Sequence, residues 1–202
     1  MRLFFVFAVM VLAGLCRQVS AEGAAQPPIE AYGERAAVRS MSMSPSGDQL
    51  AFILRLEGRD ILMTHSVEEG LKPRMDLTEL QGNWIWFATE DYIIIRGYST
   101  LRVLGYRGEF DHSAAFAYNL TTGKTRQLLR NTEELYPAQS GLGRVIGRLE
   151  ESGELLMPAY TGRTDTDIAK AVFRVDPKTG RGSILFKGLK HTLGWFLAPD
   201  GT

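Results

Sequence analysis

The chain has 202 residues, 45% of them hydrophobic, with 23 basic residues balanced by 23 acidic ones and a single cysteine. Balanced and dispersed charge, with no lysine and arginine stripe interleaved with aromatics and no module signature, excludes a nucleic-acid binder. One cysteine excludes a disulfide framework.

At the amino terminus Arg2 is followed by an uncharged, almost wholly apolar run from Leu3 to Leu15, and then by Val19-Ser20-Ala21. This is the pattern of a secretory signal peptide with a small-x-small cleavage site, predicted to be cut after Ala21. A membrane-spanning helix needs about 20 apolar residues. Arg17 ends this run too early, so no stable membrane anchor is expected after cleavage. Cys16 lies inside the segment, and Leu15 before it is too large for a usual bacterial lipoprotein cleavage site. The mature chain is therefore predicted to be exported, periplasmic or secreted, and free of cysteine. Without Arg2 and Arg17 it carries 21 basic residues against 23 acidic ones. Residues 22–37, with Gly23, Ala24, Ala25, Pro27 and Pro28, read as a flexible lead-in.

From residue 38 onward the chain repeats. Met63/Ser66/Gly70/Met75, Phe116/Asn119/Gly123/Leu128 and Phe173/Asp176/Gly180/Leu185 share one template, an apolar residue, a turn-former, a glycine and a second apolar residue at fixed spacing. The turn-former bonds its own downstream backbone, and the glycine accepts a positive φ, so each copy reads as a hairpin. A second marker precedes each: Met41 before Pro45-Ser46-Gly47, Trp86 before Glu90-Asp91-Tyr92, and Trp195 before Pro199-Asp200-Gly201, with Glu151-Ser152-Gly153 a weaker third-unit counterpart. Two hairpins per unit make four strands. Periodicity agrees. Leu50, Phe52, Leu54 and Leu56 alternate with Ala51, Ile53, Arg55 and Glu57, the period of a half-buried strand. Tyr92-Ile93-Ile94-Ile95 is a continuous apolar run, as in a strand covered on both faces.

Repeated four-stranded units of this size are the blades of a β-propeller. The predicted fold is all-β, a partial propeller of about three and a half four-stranded antiparallel blades, approximately 38–81, 82–141, 142–189 and the start of another at 190–202. Closed propellers have about 4 to 8 blades. A fragment of a longer protein is the expectation, with open edges and unburied faces as its liability.

The lead-in Pro28-Ile29-Glu30-Ala31-Tyr32-Gly33 with Ser42-Met43-Ser44-Pro45-Ser46-Gly47-Asp48-Gln49-Leu50-Ala51-Phe52-Ile53 resembles the amino-terminal propeller of bacterial prolyl oligopeptidase family serine peptidases, which include dipeptidyl and acylaminoacyl peptidases. The stretches from Ala117 to Lys124, Phe173 to Gly180 and Gly194 to Gly201 are similar too. Ser46 stands where this turn more often has aspartate; either side chain bonds the local backbone. The resemblance implies a propeller that precedes an α/β-hydrolase domain and limits which substrates reach its serine, aspartate and histidine.

None of those three is expected within this chain. The nearest approach to a nucleophile elbow, Gly97-Tyr98-Ser99-Thr100-Leu101, lacks the second glycine, and Gly105 and Gly108 argue against a following helix, so a hairpin is predicted. In Asp111-His112-Ser113, neighbours on an extended chain point to opposite faces and form no relay. His65, His112 and His191 have no partner at metal-ligand spacing. Asp165 and Asp167, with Thr164 and Thr166, form a short acidic loop without the spaced oxygen set of a calcium site. Asn119-Leu120-Thr121 matches a glycosylation acceptor, but the turn already explains the asparagine. Trp84, Trp86 and Trp195, with Tyr92, Tyr98, Tyr106 and Tyr118, are expected in packing between blades.

No catalytic, cofactor-binding or metal residue is assigned, and no cofactor is expected. The sequence points to the non-catalytic, substrate-gating propeller portion of an exported serine peptidase, meeting peptide substrate through a catalytic domain outside these residues. The alternative is a periplasmic propeller that binds proteins and has no enzymatic domain.

Overall fold

The computed structural model describes residues 28–29, 33, 36–102, 107–137, 139–164 and 166–198. The predicted signal peptide lies outside the described residues, as do Asp165 and Pro199-Asp200-Gly201 of the last turn marker. Within the predicted lead-in, Ile29 and Gly33 have helical backbone. The compact unit that starts at Ala36 carries three four-stranded sheets among its described residues.

The first sheet comprises β1 (Val38–Met43), β2 (Gln49–Leu56), β3 (Arg59–Ser66) and β4 (Gly70–Asp76). The second comprises β5 (Trp84–Thr89), β6 (Tyr92–Leu101), β7 (Phe110–Asn119) and β8 (Thr125–Gln127). The third comprises β9 (Gly147–Arg148), β10 (Leu155–Thr161), β11 (Ala169–Val175) and β12 (Gly182–Lys187). In each sheet the strands lie side by side in chain order, and every pairing is antiparallel. Three successive four-stranded meanders are three blades of a β-propeller.

The repeated template forms the outer hairpin of each blade. Gly70, Gly123 and Gly180 sit at φ of 65°, 66° and 73°, in the left-handed region that glycine enters without a Cβ penalty. The turn-formers act as the sequence predicts. Ser66 Oγ accepts from the Glu69 N–H, Asn119 Oδ1 from Thr122 N–H, and Asp176 Oδ1 from Lys178 N–H. Met63 and Phe173, the first residues of their copies, each sit beside a bulge against the outer strand.

Register assigns a face to each residue. In the first sheet Met41, Phe52, Met63 and Pro73 form one row across the strands, and in the second Ile85, Ile95, Phe116 and Gln127 do. This is the leading face of each blade, turned toward the preceding one. The opposite, trailing face of the first sheet carries Ala51, Ile53 and Leu62, which pack with Ile85, Phe87, Ile93 and Ile95 of the second. The trailing face of the second carries Ala88, Ile94, Ala115 and Ala117, which pack with Leu155, Met157, Ala171 and Phe173 of the third. Ile93, Ile94 and Ile95 are all fully buried, as the continuous apolar run predicts for a strand covered twice.

The alternation in β2 has a different outcome. Ala51 and Ile53 are fully buried and Leu56 is 46% exposed, while Leu50, Phe52 and Leu54 are only half-buried. The larger residues occupy the leading face of the first blade, against which no described sheet packs. At the other end, residues 188–198 carry no strand. Trp195 instead packs back on the third sheet: its indole N–H donates to the Lys170 carbonyl at 3.0 Å, and its ring stacks on Phe186 at 6.4 Å between centroids.

Gly180 is the least replaceable of the template glycines, because a Cβ there would lie 2.3 Å from the Gln127 carbonyl oxygen of the neighbouring blade. At Gly123 the nearest atom would be the Tyr118 hydroxyl, at 3.8 Å. Gly180→Ala is expected to cost about 2–5 kcal/mol, adding overpacking to the left-handed penalty, and Gly123→Ala only about 1–2 kcal/mol. The shift of the urea unfolding midpoint for each variant checks the difference.

Candidate functional site

Strands β6 and β7 outrun their neighbours. Pairing with β5 stops at Trp84 opposite Arg96, and pairing with β8 stops at Phe116 opposite Gln127. Beyond those points residues 97–101 and 110–115 continue as a two-stranded ribbon, in register from Gly97 opposite Ala114 to Leu101 opposite Phe110. An exposed ribbon of two strands is marginal by itself. Here both edges are clamped by the connections between blades. Tyr98 N–H donates to the Leu80 carbonyl at 3.0 Å, and Ser113 N–H donates to the Ser140 carbonyl at 2.8 Å. The Ser113 hydroxyl adds a 2.5 Å bond to the Leu142 carbonyl. Gly97 and Gly143 permit this approach, since a Cβ on either would fall 2.4 Å from Leu80 O or 2.7 Å from the Ala114 carbonyl carbon.

The ribbon gathers the residues that the sequence singles out. Asp111 and Ser113 share one face and His112 takes the other, as expected for an extended chain. Sequence reasoning misses a second relation: Ser99 lies directly opposite His112, on the same face. Only the hairpin register could have revealed it. Two features argue against a nucleophile. Ser99 lies within strand β6, not on a strand-to-helix turn, and Asp111 is on the far face, where it accepts from the Thr100 hydroxyl at 2.8 Å. His112 Nε2 is buried with no hydrogen-bond partner among the described residues. Arg102 and Glu109 form an exposed ion pair near the ribbon's end, at 3.4 Å.

Alternating strand direction places the turn between β10 and β11 at the same end of the blades as the ribbon. There Asp167 accepts from the main-chain N–H groups of Thr164, at 2.7 Å, and Arg163, at 3.0 Å, and from the Thr164 hydroxyl at 2.9 Å. Its oxygens are engaged by the chain that carries them. No cluster of three metal-ligating side chains occurs among the described residues. His65 and His191 are exposed, on β3 and in a turn respectively.

At the opposite end, the first turns of two blades meet: Ser46 donates its main-chain N–H to Glu90 at 2.7 Å and its hydroxyl to the same carboxylate at 3.1 Å. Beside this contact opens a cleft of about 880 Å³ whose lining includes Asp48, Glu68, Glu69, Asp91 and Arg74. Glu69 lies below the usual carboxylate range because Lys72, and secondarily Arg74, hydrogen-bond to it. Trp86 and Tyr92 pack between the second and third blades, and Tyr118 between the first and second. Arg96 lies over the Tyr98 ring at 5.2 Å. Trp84 is 37% exposed. Tyr106 lies outside the described residues.

No family model and no curated protein matches the chain. Solved structures similar to it include TolB from Acinetobacter baumannii, 14% identical over 83% of this chain and 37% of TolB, with a TM-score of 0.48. An acylaminoacyl peptidase in complex with Z-Gly-Gly-Phe-chloromethyl ketone is 9% identical over 77% of this chain and 26% of that one, with a TM-score of 0.47. The AtxE2 isopeptidase is 13% identical over 72% of this chain and 33% of its own, with a TM-score of 0.36. The chain thus spans between 26% and 37% of the lengths of these proteins.

The Thr164 and Arg163 N–H groups, followed by the Thr164 hydroxyl, hold the Asp167 carboxyl below its ordinary range. A depressed folded pKa adds stability above the unfolded value, about 3.9, that is lost as pH falls through the folded one. Carboxyl NMR is expected to show Asp167 titrating below about 3.9, with the Arg163 and Thr164 amide shifts moving in step. Asp167→Ala removes both the midpoint and the coupled amide shifts.

Proposed function

We propose that this chain is the amino-terminal propeller portion of an exported serine peptidase of the prolyl oligopeptidase family. It contributes no catalytic group and restricts which peptides reach a hydrolase domain encoded beyond it. The observation that supports this reading is the clamped ribbon. A gate must hold its shape against substrate, and this one is tied at its base to both inter-blade connections through Leu80 and Ser140. Its free part carries hydroxyls and an ion pair, Ser99, Thr100 and Arg102 with Glu109, suited to brushing a polar peptide backbone. The apolar segment before Ala21 supports export, and the lead-in with its Ser-Pro-Ser-Gly turn supports the family.

A rival reading draws on the other end of the blades. The carboxylate-rich cleft beside Glu90 suits a basic segment of a partner protein, as in an exported binding scaffold without a hydrolase. The two readings part at the codon after Thr202. Translation of the gene past that point is expected to give further four-stranded repeats, then Gly-x-Ser-x-Gly with an aspartate and a histidine downstream. Repeats that run to a stop codon would remove the peptidase and leave the scaffold.

In the parent enzyme, replacing residues 100–111 by a tight turn is expected to raise kcat/KM for long peptides by about tenfold, while a dipeptide amide is cleaved as before. Equal changes for both substrates would show that the ribbon does not select by size.

A further inference from the structure

Of the large apolar side chains exposed among the described residues, ten belong to two surfaces. Val38, Met41, Met43, Leu56 and Leu71, each between 44% and 62% exposed, belong to the leading face of the first sheet. Tyr160 and Phe186 belong to the trailing face of the third, and Leu189, Leu193 and Phe196 to the segment after it, with the last three 82–89% exposed. Both surfaces are larger and more continuous than the scattered apolar residues normal on a monomer.

The repeat says what fits each of them. The template residues Met63, Phe116 and Phe173 occupy equivalent positions. Phe116 lies in the row of Ile85 and Ile95, which pack on the first sheet, and Phe173 packs on the second. In both cases the leading face is covered by the trailing face of another four-stranded sheet, one that brings small or aliphatic residues such as Ala51, Ile53, Ala88 and Ala117. The leading face of the first sheet therefore calls for a trailing face. The one trailing face left open on the described chain is that of the third sheet, with Leu156, Pro158 and Val172 behind Phe186.

We infer that two copies of this chain join head to tail, the third sheet of each against the first sheet of the other. One such contact would be heterologous and would propagate into a filament; a second, equivalent contact related by a two-fold axis closes it. Two sets of three sheets make a ring of six blades, within the range of about 4 to 8 in which propellers close. This inference does not rest on the peptidase reading. Further blades encoded beyond Thr202 are the competing occupant of the same faces.

Sedimentation equilibrium of the full chain tests the proposal. The expected mass is twice that of one chain. Met41→Asp and Phe186→Asp alter side chains that are 60% and 58% exposed, so each variant keeps its far-ultraviolet dichroism while its self-association weakens by at least about a hundredfold, because a carboxylate is buried against apolar surface. An equimolar mixture of the two regains dimer, since one of the two contacts in the mixed pair is then unaltered on both sides. A monomeric parent chain, filaments, or a Phe186→Asp variant that dimerises normally would each overturn the arrangement. So would a mixture that stays monomeric. None of these results depends on the codons beyond Thr202, so the peptidase reading stands or falls separately.

Discussion

A blade in the interior of a propeller must bury both faces at once, and the second sheet shows what that demands of a sequence. Ile93, Ile94 and Ile95 point alternately to opposite sides and none of them retains exposure. Each such side chain contributes about 1.5–3 kcal/mol on burial, which a strand facing water on one side gathers at every second residue only. The two faces are also unequal. Leading faces carry bulk, as with Phe87, Phe116 and Phe173, and trailing faces carry alanines at 51, 88, 115 and 117. Large side chains on one sheet thus meet small ones on the next, which lets neighbouring sheets interlock without voids. The same inequality explains the first blade, whose bulky face has no described counterpart and remains half open.

Edges impose a second demand. The inner strand of each blade leaves one row of main-chain groups unpaired, a liability for open sheets. Here the preceding blade supplies the partners. Ser40 and Ser42 hydroxyls of β1 accept from the N–H groups of Ile85 and Phe87 on β5, both at 2.9 Å, and Arg148 beside β9 donates to the Ala88 carbonyl at 2.7 Å. Small polar residues spaced two apart on an inner strand are thus a stitching device. Ser40 reaches this position at φ 44°, where β1 is bulged. On the outer side, the Gly180 turn sits against Gln127 and accepts from Leu129 N–H at 2.8 Å. The blades are fastened at both rims as well as through their faces.

Features that depend on local chemistry were legible in the sequence, and features that depend on contacts between distant segments were not. The template hairpins follow from Asn119 or Asp176 and a glycine four residues later, all within one turn. The double burial of β6 follows from its unbroken run of isoleucine. The stitching serines look unremarkable on the chain, because their partners lie 45 residues away. Gly97 reads as half of a failed elbow motif, whereas its need for no side chain arises from Leu80 on another connection. Ser99 and His112 share a face because a long hairpin closes in one register, which neither residue's neighbours encode. For Trp195, the turn spacing matches the other markers, yet with no described sheet beyond it the indole turns to the nearest apolar ring, Phe186.

The two ends of the blades differ in what they tolerate. At one end lie the six short turns inside hairpins, whose side chains are consumed by their own backbone: Asn119, Ser152, Asp176 and Ser66 each hold an amide or hydroxyl of the same turn. An insertion there would break the glycine geometry that sets strand register. At the other end lie the ribbon, the Asp167 turn and the two connections between blades, held by main-chain bonds such as Ser113 to Ser140 that do not specify the side chains beyond them. Function placed on a rigid scaffold concentrates where the sequence is free to vary without loss of fold. Only the ribbon end meets that condition while being fixed at its base, which is why selectivity toward a substrate is assigned to it and not to the acidic cleft between the short turns.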